Sequence, residues 1–528
     1  MFPTLRRSSL LVAGTVSVLG GLALPAVEPE GLDHQHDQPV VAALDLGPVP
    51  KPADRTFAPG RSLTPAASVQ TAIELCVETD MVAIGAPGAA ATVIHHGEVI
   101  FNRGFGFKRE GEPELVDTGT RFRIGSATKM FTAAAVMQQV DAGLVDLDDP
   151  VREWVPEFSL SGQWPAEAIT VRHLLTHTSA LPDYYEDPLG PTGDQALTDW
   201  AASLGETRLH SPPGTFWNYS NPGFSLAGLV AERAGGLPYR ELTAGRVFAA
   251  AGMTATTFDP QEVIASGNYS WGHHPSPDGH TTVYAPDAYQ SRIGDPAGQA
   301  FSNAGDLASW ALMLMDGGGD VLSHSSALAM QTRQVDLDLI PDSHYGLGIF
   351  AEKYKGLDVR QHGGNLYGWG AYLLWVPDER FVVSVLGNTT YYLRAAAYCI
   401  VDVVLEPDSS DPPDYSTDPT TWIAYTGSYE FTDNRGDVFQ ADVELLGDRL
   451  FAIFPNPADP SSPTRKELTQ LYLDTFSMEA FVEGERDYEL TFIDRRTAGS
   501  QRMWLRNQWF VGLRIPPPRD TDDRRTPD

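Results

Sequence analysis

The run Gly125-Ser126-Ala127-Thr128-Lys129 sets a serine three residues before a lysine. A serine hydroxyl is a weak nucleophile at neutral pH and needs a base within hydrogen-bond reach. On a helix, positions i and i+3 share one face one turn apart, so the Lys129 amine can meet the Ser126 hydroxyl. A helix amino end also favours negative charge developing on the serine oxygen. Of the six lysines in the chain, only Lys129 has serine at that spacing. By itself the pattern is better read as a capped helix with an exposed lysine. Two further elements change that reading. Tyr219-Ser220-Asn221 offers a phenol and an amide on a short irregular segment, and His362-Gly363-Gly364, followed by Asn365, has glycines that let a substrate approach backbone donors closely.

Positioning these groups requires a scaffold, and the hydrophobic pattern supplies one. Val69, Ile73, Cys76 and Val77 recur at helical spacing across residues 67–77. Residues 88–94 and 98–105 are β-prone runs joined by His95-His96-Gly97, which reads as a hairpin. Residues 126–140 form a helix ended by Gly143, and helical pieces follow at 171–175, 224–234 and 306–315. Sheet patterning returns at 371–375 and 381–386 across Pro377-Asp378, and 393–405 is helical. This order predicts an α/β sandwich whose antiparallel sheet comes from both ends of the segment, with an all-helical lobe inserted between. Boundaries are expected at 1–26 for a signal peptide, 27–65 for a flexible leader, 66–407 for the main domain and 408–420 for a linker. A small antiparallel β-barrel-like domain at 421–516 and a tail at 517–528 complete the chain, the barrel being read from short alternating runs such as 438–445 and 449–454.

Taken in order, the three elements resemble the serine β-lactamase-like and penicillin-binding-protein-like hydrolases, which include class C β-lactamases, D-stereospecific peptidases and related esterases. Leu174 to Asp183, Pro296-Ala297-Gly298 to Trp310, Tyr345-Gly346-Leu347-Gly348 and Gly364 to Asn388 extend the resemblance over about residues 65–405. It implies a β-lactamase/transpeptidase-like sandwich, with Ser126 as the acylated nucleophile, Lys129 keeping the serine proton mobile, and Tyr219 as general base for acylation and acid for the leaving group. Asn221 would orient Lys129 or a substrate amide, and the oxyanion hole would be the backbone N–H groups of Ser126 and Asn365. Two departures stand out. His362 occupies the place of the usual lysine, a mostly neutral imidazole instead of a fixed ammonium, which argues against efficient β-lactam hydrolysis. Ala180 stands where glycine is usual. The resemblance also implies that the helices carrying Cys76 and Cys399 pack side by side, so that the two cysteines form a disulfide; two buried, reduced thiols are the alternative.

The implied activity is acyl transfer to water from small-molecule esters, amides or peptides with a D-residue. A β-lactamase or D,D-carboxypeptidase, and a non-catalytic ligand sensor of the same fold, are the competing readings. The formal charge of −32 over 528 residues makes nucleic acid and anionic lipid poor partners. Arg6-Arg7, the apolar stretch 10–24 and Pro25-Ala26 have the form of a secretory signal, so the protein is expected to be exported, periplasmic or extracellular. No later run reaches the ~18 apolar residues of a membrane span, so none is expected after signal removal. No cofactor and no metal is expected. His34-Gln35-His36 is read as solvated, His173 and His177 as structural, and His273-His274 as a solvated polar loop. Tyr184, Tyr185 and Trp369 fit either the substrate cleft or the core.

Overall fold

The computed structural model describes residues 69–515 except 186, 188–189, 192, 276–279, 339–341, 408–419, 436, 455–461, 473, 479–487, 495–502 and 508–509. The expected signal peptide, the leader with His34 and His36, the linker up to residue 419 and the tail lie outside these residues.

The larger unit is built on one antiparallel sheet. Its strands are β1 (Gly88–His95), β2 (Glu98–Gly106), β3 (Val335–Asp336), β4 (His344–Tyr345), β5 (Phe350–Tyr354), β6 (Leu357–Leu366), β7 (Trp369–Val376) and β8 (Phe381–Gly387), in the spatial order β2-β1-β8-β7-β6-β5-β4-β3. The sheet therefore does come from both ends of the segment, with Ala89 opposite Gly387 and Ala91 opposite Val385. Strands β7 and β8 are continuous apolar runs because both of their faces are covered. Tyr372, Leu374, Val376, Val383 and Val385 face one side, and Ala371, Leu373, Trp375, Val382 and Leu386 face the other.

On the first side lie α1 (Val69–Ile84) and a last helix (Arg394–Leu405), packed through Ile73, Cys76 and Val77 against Ala396, Ala397, Ile400 and Val401. Helix α1 runs past the expected end at residue 77, and Asp80 has a structural task in these further turns. Its buried carboxylate accepts a hydrogen bond from Ala396 N at 2.8 Å, satisfying a free amide at the start of the last helix. Cys76 and Cys399 join the same two helices as a disulfide, with their Cα atoms 5.7 Å apart. The bridge closes a loop of 323 residues, for which the chain-entropy model gives a stabilisation of roughly 5 kcal/mol. Peptide mass mapping without reductant is expected to recover one pair linked through Cys76 and Cys399. Free alkylation of both thiols in denaturant would contradict this.

On the other side is the helical lobe. Its centre is α2 (Thr128–Asp141), whose residues from Thr128 to Met137 are all buried, so the helix has no polar face and must sit inside the lobe. The sequence suggested one helix from Ser126, but Gly125–Ala127 is a single 3₁₀ turn that precedes it. Helix α3 (Asn221–Gly235) packs on α2, and α4 (Asp295–Gly298) packs against both. The lobe is not purely helical. A ribbon pairs Gly272–Pro275 with Thr281–Tyr284, which overturns the solvated-loop reading of His273. His273 is buried, its Nε2 accepting from Glu110 N at 3.1 Å while its Nδ1 meets Asn388 O at 2.9 Å.

The C-terminal unit is a closed antiparallel barrel whose strands run from Gly427–Asp433 to Phe510–Arg514. Closure removes the exposed edges an open sheet would present. Alternate residues such as Tyr429 and Phe431, then Phe439, Ala441 and Val443, point inward, so the interior is packed side chain.

Candidate active site

Ser126 sits on the 3₁₀ turn that leads into α2, at the end of a sharp bend made by Gly125 with φ +49°. The turn is fixed by Thr128 Oγ1, which donates to Gly125 O at 2.7 Å. Strand β6 runs directly beside it. A side chain on Gly125 would collide with Asn365 N, and one on Gly364 with Ile124 O and Ser126 N. Both glycines are therefore required for the backbones carrying Ser126 N and Asn365 N to lie this close.

Lys129 is fully buried on the first turn of α2. Its Nζ lies 3.2 Å from Ser126 Oγ and donates to Asn221 Oδ1 and to Ala297 O, both at 2.6 Å. The last two are pure acceptors and hold two of the lysine's hydrogens. The remaining position on the nitrogen faces Ser126, where an ammonium donates and a neutral amine accepts. Burial pulls the ammonium down to about 7, with the Asp183 carboxylate opposing. Asp183 also fixes Asn221: its Oδ1 accepts from Asn221 N at 2.7 Å and Asn221 Nδ2 at 3.0 Å, which turns the amide oxygen toward Lys129.

Tyr219 lies in the loop before α3, its ring centroid 4.7 Å from Lys129 Nζ. Burial, reinforced by the Tyr345 phenol, raises its hydroxyl well above 10. Its OH makes no hydrogen bond of ordinary geometry, although Ser126 stands near enough to draw the pKa back down. His177 supports this loop from below. Its Nδ1 accepts from Ser220 N at 3.0 Å and its ring lies 4.1 Å from that of Tyr219. The proton of the neutral ring is thus on Nε2, and burial, with the nearby Lys129 charge, keeps the imidazole uncharged.

His362 is fully buried within β6. Its Nδ1 donates to Gly363 O at 2.6 Å, leaving Nε2 to accept from the Tyr345 hydroxyl at 3.2 Å. Burial and Lys129 lower it to about 3. Where the sequence suggested a group contacting substrate, the imidazole is a neutral brace with both ring nitrogens occupied. The cavity at Ser126 has a volume of about 30 Å³, and Tyr185, Asn221, Tyr289, Asn365, Leu366 and Tyr367 are among its lining residues. Tyr185 is thus a cleft residue, anchored through its hydroxyl to Ser225 Oγ at 2.7 Å. Trp369 is core, with its indole N–H donating to Ser270 Oγ at 2.9 Å, and Tyr184 is half-buried outside the lining. A larger cavity of about 360 Å³ borders Asp295, but Asp295 is there paired with Arg240 and no serine or cysteine is among the described residues that line it.

An antiparallel sheet flanked by helices, with the serine on the turn that leads into the central helix, the lysine on that helix's first turn and a Gly-Gly strand alongside, is a β-lactamase/transpeptidase-like α/β fold, followed here by an all-β barrel. A model of the Beta-lactamase family matches residues 73–405, and the chain belongs to that hydrolase family. It is similar to unguisins hydrolase ungD' of Aspergillus campestris, 26% identical over 425 residues that cover 78% of this chain and 77% of that protein. Penicillin-binding protein 4* of Bacillus subtilis is 27% identical over 429 residues, covering 74% and 88%. Among solved structures, a D-stereospecific amidohydrolase from Streptomyces sp. is 28% identical with a TM-score of 0.53, covering 64% of this chain and 99% of that one.

The sequence did not point to Asp183, His177 or Ala297 as parts of the site. Asp183 and His177 flank Ala180, whose φ of +61° explains the glycine usual there: this chain bears the left-handed strain of about 1 kcal/mol on an alanine.

Proposed function

We propose that the protein is an exported serine hydrolase that forms an acyl-enzyme on Ser126 from esters or D-amino-acid amides and peptides. One observation carries the reading: a buried lysine with two of its hydrogens committed to Asn221 Oδ1 and Ala297 O, and its remaining position turned to Ser126 Oγ. Ser126 Oγ attacks the substrate carbonyl carbon as its proton passes to the neutral Lys129 amine. The carbonyl oxygen becomes an oxyanion facing Ser126 N and Asn365 N. Collapse breaks the ester or amide bond, and the Tyr219 phenol gives its proton to the leaving group and is reprotonated from Lys129. Water then repeats the sequence on the acyl-enzyme to release the acid. Lowered Lys129 and raised Tyr219 favour the amine as base and the phenol as acid, a division of labour that shifts the acylation base from Tyr219 to Lys129.

The names of the relatives, a hydrolase of unguisins and a D-stereospecific amidohydrolase, support the substrate class. The β-lactamase reading is disfavoured by His362, which is neutral and already bound to Gly363 and Tyr345, so no fixed cation awaits a drug's carboxylate there. A ligand sensor has no need of a buried lysine whose open position is turned to a serine hydroxyl. Purified protein assayed with p-nitrophenyl esters, D-amino-acid amides and nitrocefin is expected to turn over an ester or a D-amide best. Nitrocefin hydrolysis with a kcat/KM equal to that of the best ester would contradict the proposal.

A further inference from the structure

Tyr289 and Tyr367 close one wall of the Ser126 cavity by lying face to face, with ring centroids 3.4 Å apart and planes 10° from parallel. Isolated aromatic pairs prefer offset or edge-on arrangements with centroids about 4.5 to 7 Å apart, so this contact is imposed by the backbones that carry the rings. Two features impose it. Tyr367 and Gly368 form the two-residue turn between β6 and β7 with φ +38° and +93°, a turn that ordinarily takes Asn-Gly. A bulky aromatic at positive φ is an outlier, and such strain persists where the surroundings hold it. Tyr289 is held from the inside: the buried Arg123 guanidinium donates to Tyr289 O and to Pro286 O at 2.7 Å, and to Gln299 Oε1 at 2.6 Å. Tyr284 packs against both rings, at 5.3 and 6.0 Å.

Tyr289 and Tyr367 line the same cavity as Ser126, so a substrate group that seats beside the serine against this wall must compete with the stacked pair. Parting the rings forfeits their stack. An aliphatic group entering the wall leaves the two π-faces without a partner, whereas a flat aromatic group takes the place of one ring and restores the stack. We infer that Tyr289 and Tyr367 are specificity residues that select substrates carrying an aromatic ring next to the scissile ester or amide. This rests on the serine hydrolase reading given above.

The test uses ester pairs differing in ring flatness: methyl phenylacetate against methyl cyclohexylacetate for the acyl side, and benzyl acetate against cyclohexylmethyl acetate for the leaving-group side. Acid release is followed in a pH-stat for the full chain, Tyr367→Asn and Tyr289→Ala. Asparagine suits the positive-φ turn position, and because each pair is compared across variants its intrinsic reactivity difference cancels. The aromatic member of at least one pair is expected to be preferred, and each substitution to reduce that preference by about threefold to tenfold, the worth of one aromatic stack. Should Tyr367→Asn not fold, Tyr289→Ala carries the same comparison. Turnover of both members with a ratio unchanged by the substitutions overturns the inference alone. No turnover of any ester, with no labelling of Ser126 by a fluorophosphonate, overturns the hydrolase reading and this inference with it.

Discussion

Replacing Ser126 with alanine is expected to erase covalent labelling by a fluorophosphonate and to lower turnover of the best ester about 10⁴-fold or more. The size follows from the architecture. Ser126 is the residue that faces the open position on Lys129, and its Oγ is the atom that would bond to the substrate carbonyl. The lysine's other two partners, Asn221 Oδ1 and Ala297 O, remain in the variant, so the fold around the site is kept while the bond-forming atom is gone. Intact-mass spectrometry should find one adduct on the wild-type chain and none on Ser126→Ala. An adduct that persists in the variant would place the nucleophile elsewhere.

The second large effect concerns the proton. With Lys129 lowered to about 7, the amine is neutral and able to accept the serine proton above that pH, and is charged and unable to do so below it. The profile of kcat/KM should therefore fall tenfold per pH unit on the acid side of about 7 and level off above it. Lys129→Ala removes the base and leaves two buried acceptors unpaired, and it should be at least as damaging as Tyr219→Phe. The latter removes only a hydroxyl, which makes no ordinary hydrogen bond at rest, and should reduce turnover by about 10²- to 10⁴-fold with little change in thermal stability. Near-normal kcat in Tyr219→Phe would show that another group protonates the leaving group. A pH profile flat through 7 would remove Lys129 as the base.

The parts of the site that sequence spacing revealed are those whose chemistry depends on local backbone. Ser126 and Lys129 are one helical turn apart, and Gly364 is a glycine because the backbone of Ile124 and Ser126 presses on its strand. Asp183 and Ala297 become functional only through tertiary contact. Asp183 acts through the Asn221 amide, and Ala297 contributes a carbonyl that any residue would have. His362 was legible as a departure from lysine, but its burial depended on β5 and the Tyr345 hydroxyl reaching it, and β3 and β4, the second of which carries Tyr345, are two-residue strands too short to show a period. The helix from 126 was legible in extent yet not in its first turn, where the close approach of Asn365 forces Gly125 to positive φ. His273 failed as a loop residue because its polar neighbours in sequence say nothing about Asn388, which lies 115 residues away.

Gly88 N donates to Asn388 Oδ1 across 300 residues of chain, and β1 can pair with β8 only when both exist. Synthesis must therefore run almost to the end of the hydrolase domain before its central sheet can close, and until then β1 and β2 are a lone hairpin, which is marginal in water. Such long-range pairing folds slowly, because loop closure must be met before the contacts that reward it form. Once β8 and the last helix arrive, the Asp80 cap and the Cys76–Cys399 bond fasten the first helix to the last, so a chain cut short before residue 381 has neither its closed sheet nor its clasp.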